Sequence, residues 1–215
     1  MFLKIKYIPL VPWSSYKPLH FRPYISTFFF LCFGLTLFGL CEGLLIVSAS
    51  GASPWSVLAQ GISSKSGFSV GLITFIISVS VLIFWIPLNQ KPGIGTILNA
   101  LIVAFMIDIC IKYFPSPENF LSQTLLGAMA VLLTGLGGGI YLIANLGAGP
   151  RDGLMVGLQI KTNLPIAAVR GTLEITVVCV GWYLGGTVGI GTLLFAFGIG
   201  PCVALGLFLV NKLFN

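Results

Sequence analysis

The sequence predicts an all-α polytopic membrane protein, with six transmembrane helices arranged as two inverted three-helix repeats, and three observations lead there. Hydrophobic residues make up 57% of the 215-residue chain and charged residues 7%, against roughly 25% charged in a soluble domain. Six apolar runs are long enough to cross a hydrocarbon core of about 30 Å, which takes about 20 helical residues. The chain also matches itself at an offset of 96 residues. In lipid, backbone polar groups must be satisfied within a helix or a closed barrel, and long runs without alternation select helices. A water-soluble globule is excluded, and no length remains for a soluble catalytic domain.

The spans are expected at residues 24–48, 68–87, 93–113, 120–145, 165–184 and 188–210. The first is too long, and starts too late, for the roughly 7–15 apolar residues of a secretory signal. Residues 1–23 form a basic arm, 24–113 the first three-helix unit and 120–213 the second, in one membrane domain. Placing the N-terminus in the cytoplasm puts Lys4, Lys6, Lys17, Arg22, Lys91, Arg151, Lys161 and Lys212 inside, with only Lys65 and Lys112 outside. Basic residues near span ends favour the cytoplasmic side, so both termini are expected there. The formal charge of +6 is dispersed along these ends and makes no basic patch, so nucleic acid is not an expected partner.

The repeat rests on two blocks in one ungapped register. Gly51-Ala52-Ser53-Pro54 meets Gly147-Ala148-Gly149-Pro150, and Gly93-Ile94-Gly95-Thr96 meets Gly189-Ile190-Gly191-Thr192. Gly39 and Gly135, Gly43 and Gly139, Leu58 and Leu154, Gly61 and Gly157, and Lys65 and Lys161 fall in the same register. Single matches are expected by chance among 27 glycines; two four-residue blocks are not. With three spans per unit, the second copy enters the membrane upside down. Secondary transporters commonly have this arrangement, and channels and non-transporting proteins use it too.

Each unit contains one long connector, 49–67 outside and 146–164 inside, with a Gly-Ala-x-Pro turn leading into a helix-compatible stretch at 55–63 or 151–159. Proline fits the first helical position, where its missing N–H would be unpaired anyway. Such helices are too short to span; dipping inward, they would turn free N–H groups toward a cavity and favour an anion there. Gly51, Pro54, Gly147 and Pro150 are therefore candidate substrate contacts, with Arg151 adding a full charge. A plain sharp turn, with Asp152 complementing the helix dipole, is the structural alternative.

Ionisable groups at membrane depth are costly and are functional candidates by default. Glu174 lies about 14 Å along its span from Pro165, near the midplane, and Arg170 sits four residues before it. A carboxylate beside an arginine can exchange a proton or cation and free the arginine for an anion, although the two also suit a structural pair. Glu42, flanked by Gly39 and Gly43, is expected to face protein or a cavity. Asp108, four residues before Lys112 near an outer span end, is expected to pair with it.

The small-residue pairs Gly39/Gly43, Gly135/Gly139 and Gly181/Gly185 predict close helix packing. Cys32, Cys41, Cys110, Cys179 and Cys202 all lie in apolar runs, with no metal-ligand spacing, and read as packing residues. The single histidine, His20, falls in the N-terminal arm among aromatics and prolines. No span therefore contains a histidine base for Ser48-Ala49-Ser50-Gly51, and an enzyme is not expected. Residues 135–139 do not form G-x-G-x-x-G and no nucleotide motif is present, so no cofactor and no self-contained ATP-driven pump is expected.

The stretch Ala144-Asn145-Leu146-Gly147-Ala148-Gly149-Pro150-Arg151-Asp152-Gly153-Leu154-Met155 resembles the signature of the YczE/YyaS/YitT family of bacterial integral membrane proteins. The likeness runs from the first span to the last, with Gly51-Ala52-Ser53-Pro54-Trp55-Ser56 as a weaker copy; the N-terminal arm is outside it. The resemblance implies a protein of the bacterial cytoplasmic membrane in a group some of whose members are placed with small-molecule exporters. Trp55 and Ser56 stand where the second copy has Arg151 and Asp152, so the two faces are chemically unequal. The sequence expectation is a secondary transporter of small molecules, an exporter among the options, with a non-transporting accessory or scaffold protein as the rival. The expected partners are the lipid bilayer and a small-molecule substrate, with homo-oligomer formation left open.

Overall fold

The computed structural model describes residues 8–215, which fold into eight α-helices with no strand among the described residues. They are α1 (Ile25–Val47), α2 (Pro54–Ser66), α3 (Val70–Trp85), α4 (Ile94–Tyr113), α5 (Phe120–Ile143), α6 (Pro150–Thr162), α7 (Ile166–Tyr183) and α8 (Ile190–Phe214). Lys4 and Lys6, counted above toward the cytoplasmic side, lie outside the described residues. Five helices, α1, α4, α5, α7 and α8, are long and apolar enough to cross a membrane; α2 and α3 meet at a bend of 116° and qualify only as a pair. The connectors do carry short helices, each of 13 residues with proline in the first turn.

The backbone repeats the 96-residue register. Positive φ occurs at Ala49, Gly51, Gly67 and Asn89, and again at Asn145, Gly147, Asn163 and Gly185, each partner 96 residues on. Only Gly51 and Gly147 keep the same residue. At the others glycine, asparagine or alanine stands in. Gly67 and Asn163, for example, both end a short helix in the left-handed conformation that these two residue types adopt most readily.

Helices α1 and α5 pack on each other at the centre, with α4 against the outer face of α1 and α8 against that of α5. Glycines permit this closeness. A methyl at Gly39 would lie 2.8 Å from Val103 Cα, one at Gly137 2.7 Å from the Phe38 amide, and one at Gly139 2.7 Å from Leu207 N. With little hydrophobic force between helices in lipid, such backbone approach is the main source of packing energy. Around the centre, α2 packs on α7 and α3 on α6, so each half grips the short helix of the other. Gly181 accommodates the Leu58 backbone at the first of these contacts, and Gly153 the Trp85 ring at the second.

The two repeated blocks are each other's contact surface. Gly95 N–H donates to Leu146 O at 2.8 Å, and Gly191 N–H donates to Ser50 O at 2.8 Å. Thr96 Oγ1 donates to Ala148 O, while Thr192 Oγ1 accepts from Ala52 N–H. Each Gly-Ala-x-Pro turn thus docks on the Gly-Ile-Gly-Thr start of the other half's last helix.

Residues 8–23 pack against this body. Val11 and Trp13 are buried, Trp13 stacks on Phe30 with ring centroids 4.4 Å apart, and Asn145 Nδ2 donates to Ser15 O at 2.9 Å.

One contact distinguishes the halves: α3 packs along α4, whereas α7 and α8 stand apart. Asp108 holds the closed side, its Oδ2 accepting from Ser69 Oγ at 2.6 Å and its Oδ1 from Gly71 N–H at 2.7 Å. This corrects the expected pairing of Asp108 with Lys112, whose ammonium lies 5.2 Å from the Tyr113 ring centre instead. The start of α3 offers the carboxylate two donors, and a hydrogen-bonded cap outweighs an exposed ion pair. In the second half the counterparts are Pro165, Ala167 and Ala204, which can form no such latch. Gly171 on α7 and Gly200 on α8 face open space.

Candidate functional site

The parted helices α7 and α8 open a cavity of about 380 Å³ that reaches the centre of the molecule. Glu42, Arg151, Asp152, Arg170 and Glu174 all line it, so five of the nine candidate residues converge on one space from three helices, α1, α6 and α7. Phe38, Trp55, Tyr141 and Phe195 supply aromatic wall.

Glu42 is 1% exposed. Its Oε2 accepts from Ser53 Oγ at 2.6 Å and Ser56 Oγ at 2.7 Å, and its Oε1 has no partner. Ser53 stands at the N-cap position of α2 with its hydroxyl engaged by Glu42, and Ser56 lies in the first turn, so the carboxylate also ties the short helix to α1. Arg151, in the first turn of α6, sits over the Trp55 ring at 5.4 Å. Neither a hydrogen bond nor an ion pair holds its guanidinium among the described residues. Asp152 accepts from Tyr141 OH at 2.7 Å, joining α6 to α5. Arg170 Nε donates to Glu174 Oε1 at 2.7 Å, one turn apart on α7.

A second, smaller space of about 60 Å³ lies across the Arg151, Asp152, Tyr141 and Phe38 wall, beside Thr74 and Ser78 of α3. At the 96-residue offset, Thr74 and Ser78 are the counterparts of Arg170 and Glu174. The two spaces are therefore lined in part by corresponding residues of the two halves, one of about 380 Å³ and the other of about 60 Å³.

Gly51, Gly147, Pro54 and Pro150 do not line this cavity; Gly147 instead borders a separate space of about 320 Å³ beside Trp85, Lys91 and Gly153. A side chain at Gly51 would meet Gly189 N and Thr192 Oγ1 at 2.7 Å, and one at Gly147 would meet Thr96 Oγ1 at 2.8 Å. Pro54 and Pro150 are buried helix starts, and Pro150 O accepts from Trp85 Nε1 at 2.9 Å. Their motif is a docking device, and the charges displayed just beyond it reach the cavity.

The family described as a family of unknown function (DUF6198) matches residues 25–207. An uncharacterized protein of Haemophilus influenzae is 40% identical over 98% of this chain and 95% of its own length. The uncharacterized membrane protein YczE of Bacillus subtilis is 32% identical over 80% of this chain and 78% of its own length. The uncharacterized protein YyaS of the same organism is 30% identical over 75% of this chain and 82% of its own length. The chain belongs to the YczE/YyaS family. No solved structure matches it.

In this YczE/YyaS family member, sequence reasoning missed Ser53, Ser56, Trp55 and Tyr141 as site residues. Neutral hydroxyls and aromatics in apolar runs carry no signal of their own. Their one trace is the register: Trp55 and Ser56 occupy the positions of Arg151 and Asp152 in the other copy.

Proposed function

We propose that this chain is a secondary transporter of small molecules, working by alternating access of two inverted repeats in the bacterial cytoplasmic membrane. One observation carries the reading: corresponding residues of the two halves line, in part, two spaces on either side of Arg151, one of about 380 Å³ and the other of about 60 Å³. Exchanging the conformations of the two halves would close α7 on α8 and part α3 from α4. A shared central site would then face the opposite side. With both termini cytoplasmic, the open gap between the start of α7 and the end of α8 faces inward, and the Asp108 latch closes the outside. The cavity's side chains present polar groups of both charges for binding a solute.

The test compares bacterial cells making the wild-type chain, Glu174→Gln or no protein, with expression verified, across a panel of internal and external metabolites and toxic compounds. The expected result is a solute that redistributes with wild type and fails to do so with the glutamine form. No redistribution across the panel, with folded protein in the membrane, refutes transport and favours an accessory or scaffold role.

A further inference from the structure

The geometry points to a small zwitterion of the amino-acid type as the cavity's ligand, an ammonium and a carboxylate carried on one apolar body. This deepens the transporter reading and rests on it. The cavity wall holds unmet hydrogen-bonding capacity of both signs. Glu42 Oε1 is a buried carboxylate oxygen without a donor, and it calls for an ammonium. Trp55 Nε1 is a buried donor without an acceptor, and the Arg151 guanidinium beside it has no paired carboxylate, so together they call for an anion.

Buried polar groups are ordinarily satisfied, and an unmet set in one place is a mark of a site that a ligand completes. Glu42 and Arg151 attract each other across the cavity wall but make no hydrogen bond or ion pair, because each is anchored elsewhere. Ser53 and Ser56 hold one oxygen of Glu42, and Trp55 carries the face of Arg151. A cation alone would leave Arg151 and Trp55 unmet, and an anion alone would leave Glu42 unmet. The remaining charges are already engaged, Asp152 by Tyr141 and Glu174 by Arg170. Phe38, Phe195, Ile199 and Met155 offer the apolar remainder of the wall to the ligand's side chain. The volume of about 380 Å³ falls at the small end of the roughly 300–1,000 Å³ of ligand pockets, which suits a compact solute.

The experiment measures equilibrium binding to the purified full chain in lipid nanodiscs. The probes are L-phenylalanine, L-leucine and L-methionine, with 2-phenylethylamine and 3-phenylpropionate, which carry the phenylalanine side chain with one charge each. At least one amino acid is expected to bind, and phenylalanine to bind about tenfold or more tightly than either single-charge analogue, the factor that one charged hydrogen bond supplies. Arg151→Met is expected to erase the margin over the amine, and Glu42→Gln the margin over the acid. Should either variant fail to fold, the wild-type panel decides alone. Binding of the amine or the acid as tightly as the amino acid overturns the assignment, as does binding of none of the probes. A negative panel alongside intact Glu174-dependent solute redistribution discards the zwitterion and leaves transport standing; loss of both discards both.

Discussion

In the orientation proposed above, removing the Asp108 carboxylate should open the side of the molecule that faces outward. Asp108→Ala deletes two hydrogen bonds, to Ser69 Oγ and to the Gly71 amide, and nothing else ties the start of α3 to the end of α4 by a polar contact among the described residues. Hydrogen bonds to a charged group contribute about 1.5–3 kcal/mol each when buried. Ser69 is exposed and Asp108 half-buried, so about 2 kcal/mol for the two together is the expectation after solvent screening. At about 1.4 kcal/mol per decade, the equilibrium between closed and open α3–α4 shifts about thirtyfold. The assay replaces the five native cysteines and places one at Ser78, in the wall of the smaller space. Labelling by a membrane-impermeant maleimide added outside is then timed in whole cells. The rate should rise by up to about thirtyfold with Asp108→Ala and by less with Asp108→Asn, which keeps an acceptor oxygen. An unchanged rate in a folded variant, or a wild type already labelled rapidly from outside, refutes the latch.

The docking turns give a stability prediction. At Gly51 (φ 124°) and Gly147 (φ 114°), alanine meets both a backbone conformation that side chains rarely adopt and atoms of the opposite half. Each Gly→Ala should cost about 3 kcal/mol or more and lower the thermal midpoint in detergent or prevent folding; an unshifted midpoint contradicts the docking. At Gly67, with φ 76° and nothing nearby for a side chain to strike, the repeat itself names a tolerated substitute. Gly67→Asn, matching Asn163, should stay within about 0.5 kcal/mol of wild type, while Gly67→Val should cost about 1–2 kcal/mol. Equal midpoints for both variants would remove left-handed geometry as the reason.

Much of the architecture was legible before any coordinates. Apolar runs of span length dictate helices because lipid offers the backbone no other partner, and six of the eight helices follow from them. The 96-residue register was equally legible, because a duplicated unit must make the same turns and needs glycine or a tolerant residue at the same places. What the sequence concealed is which repeated residues face inward. Gly51 and Gly147 recur because they touch Gly189, Thr192, Gly93 and Thr96, a packing constraint that looks identical to a functional one in one dimension. Glu42 lies 109 residues from Arg151 in the chain and shares a cavity with it only because α1 and α5 cross closely enough, through Gly34 and Gly137, to bring α6 beside α2. The charges, their spacing and the repeat belong to the sequence. The convergence of five of those charges on one space, and the bonding of Asp108 to the start of α3, were decided by packing between distant segments, which local pattern does not encode.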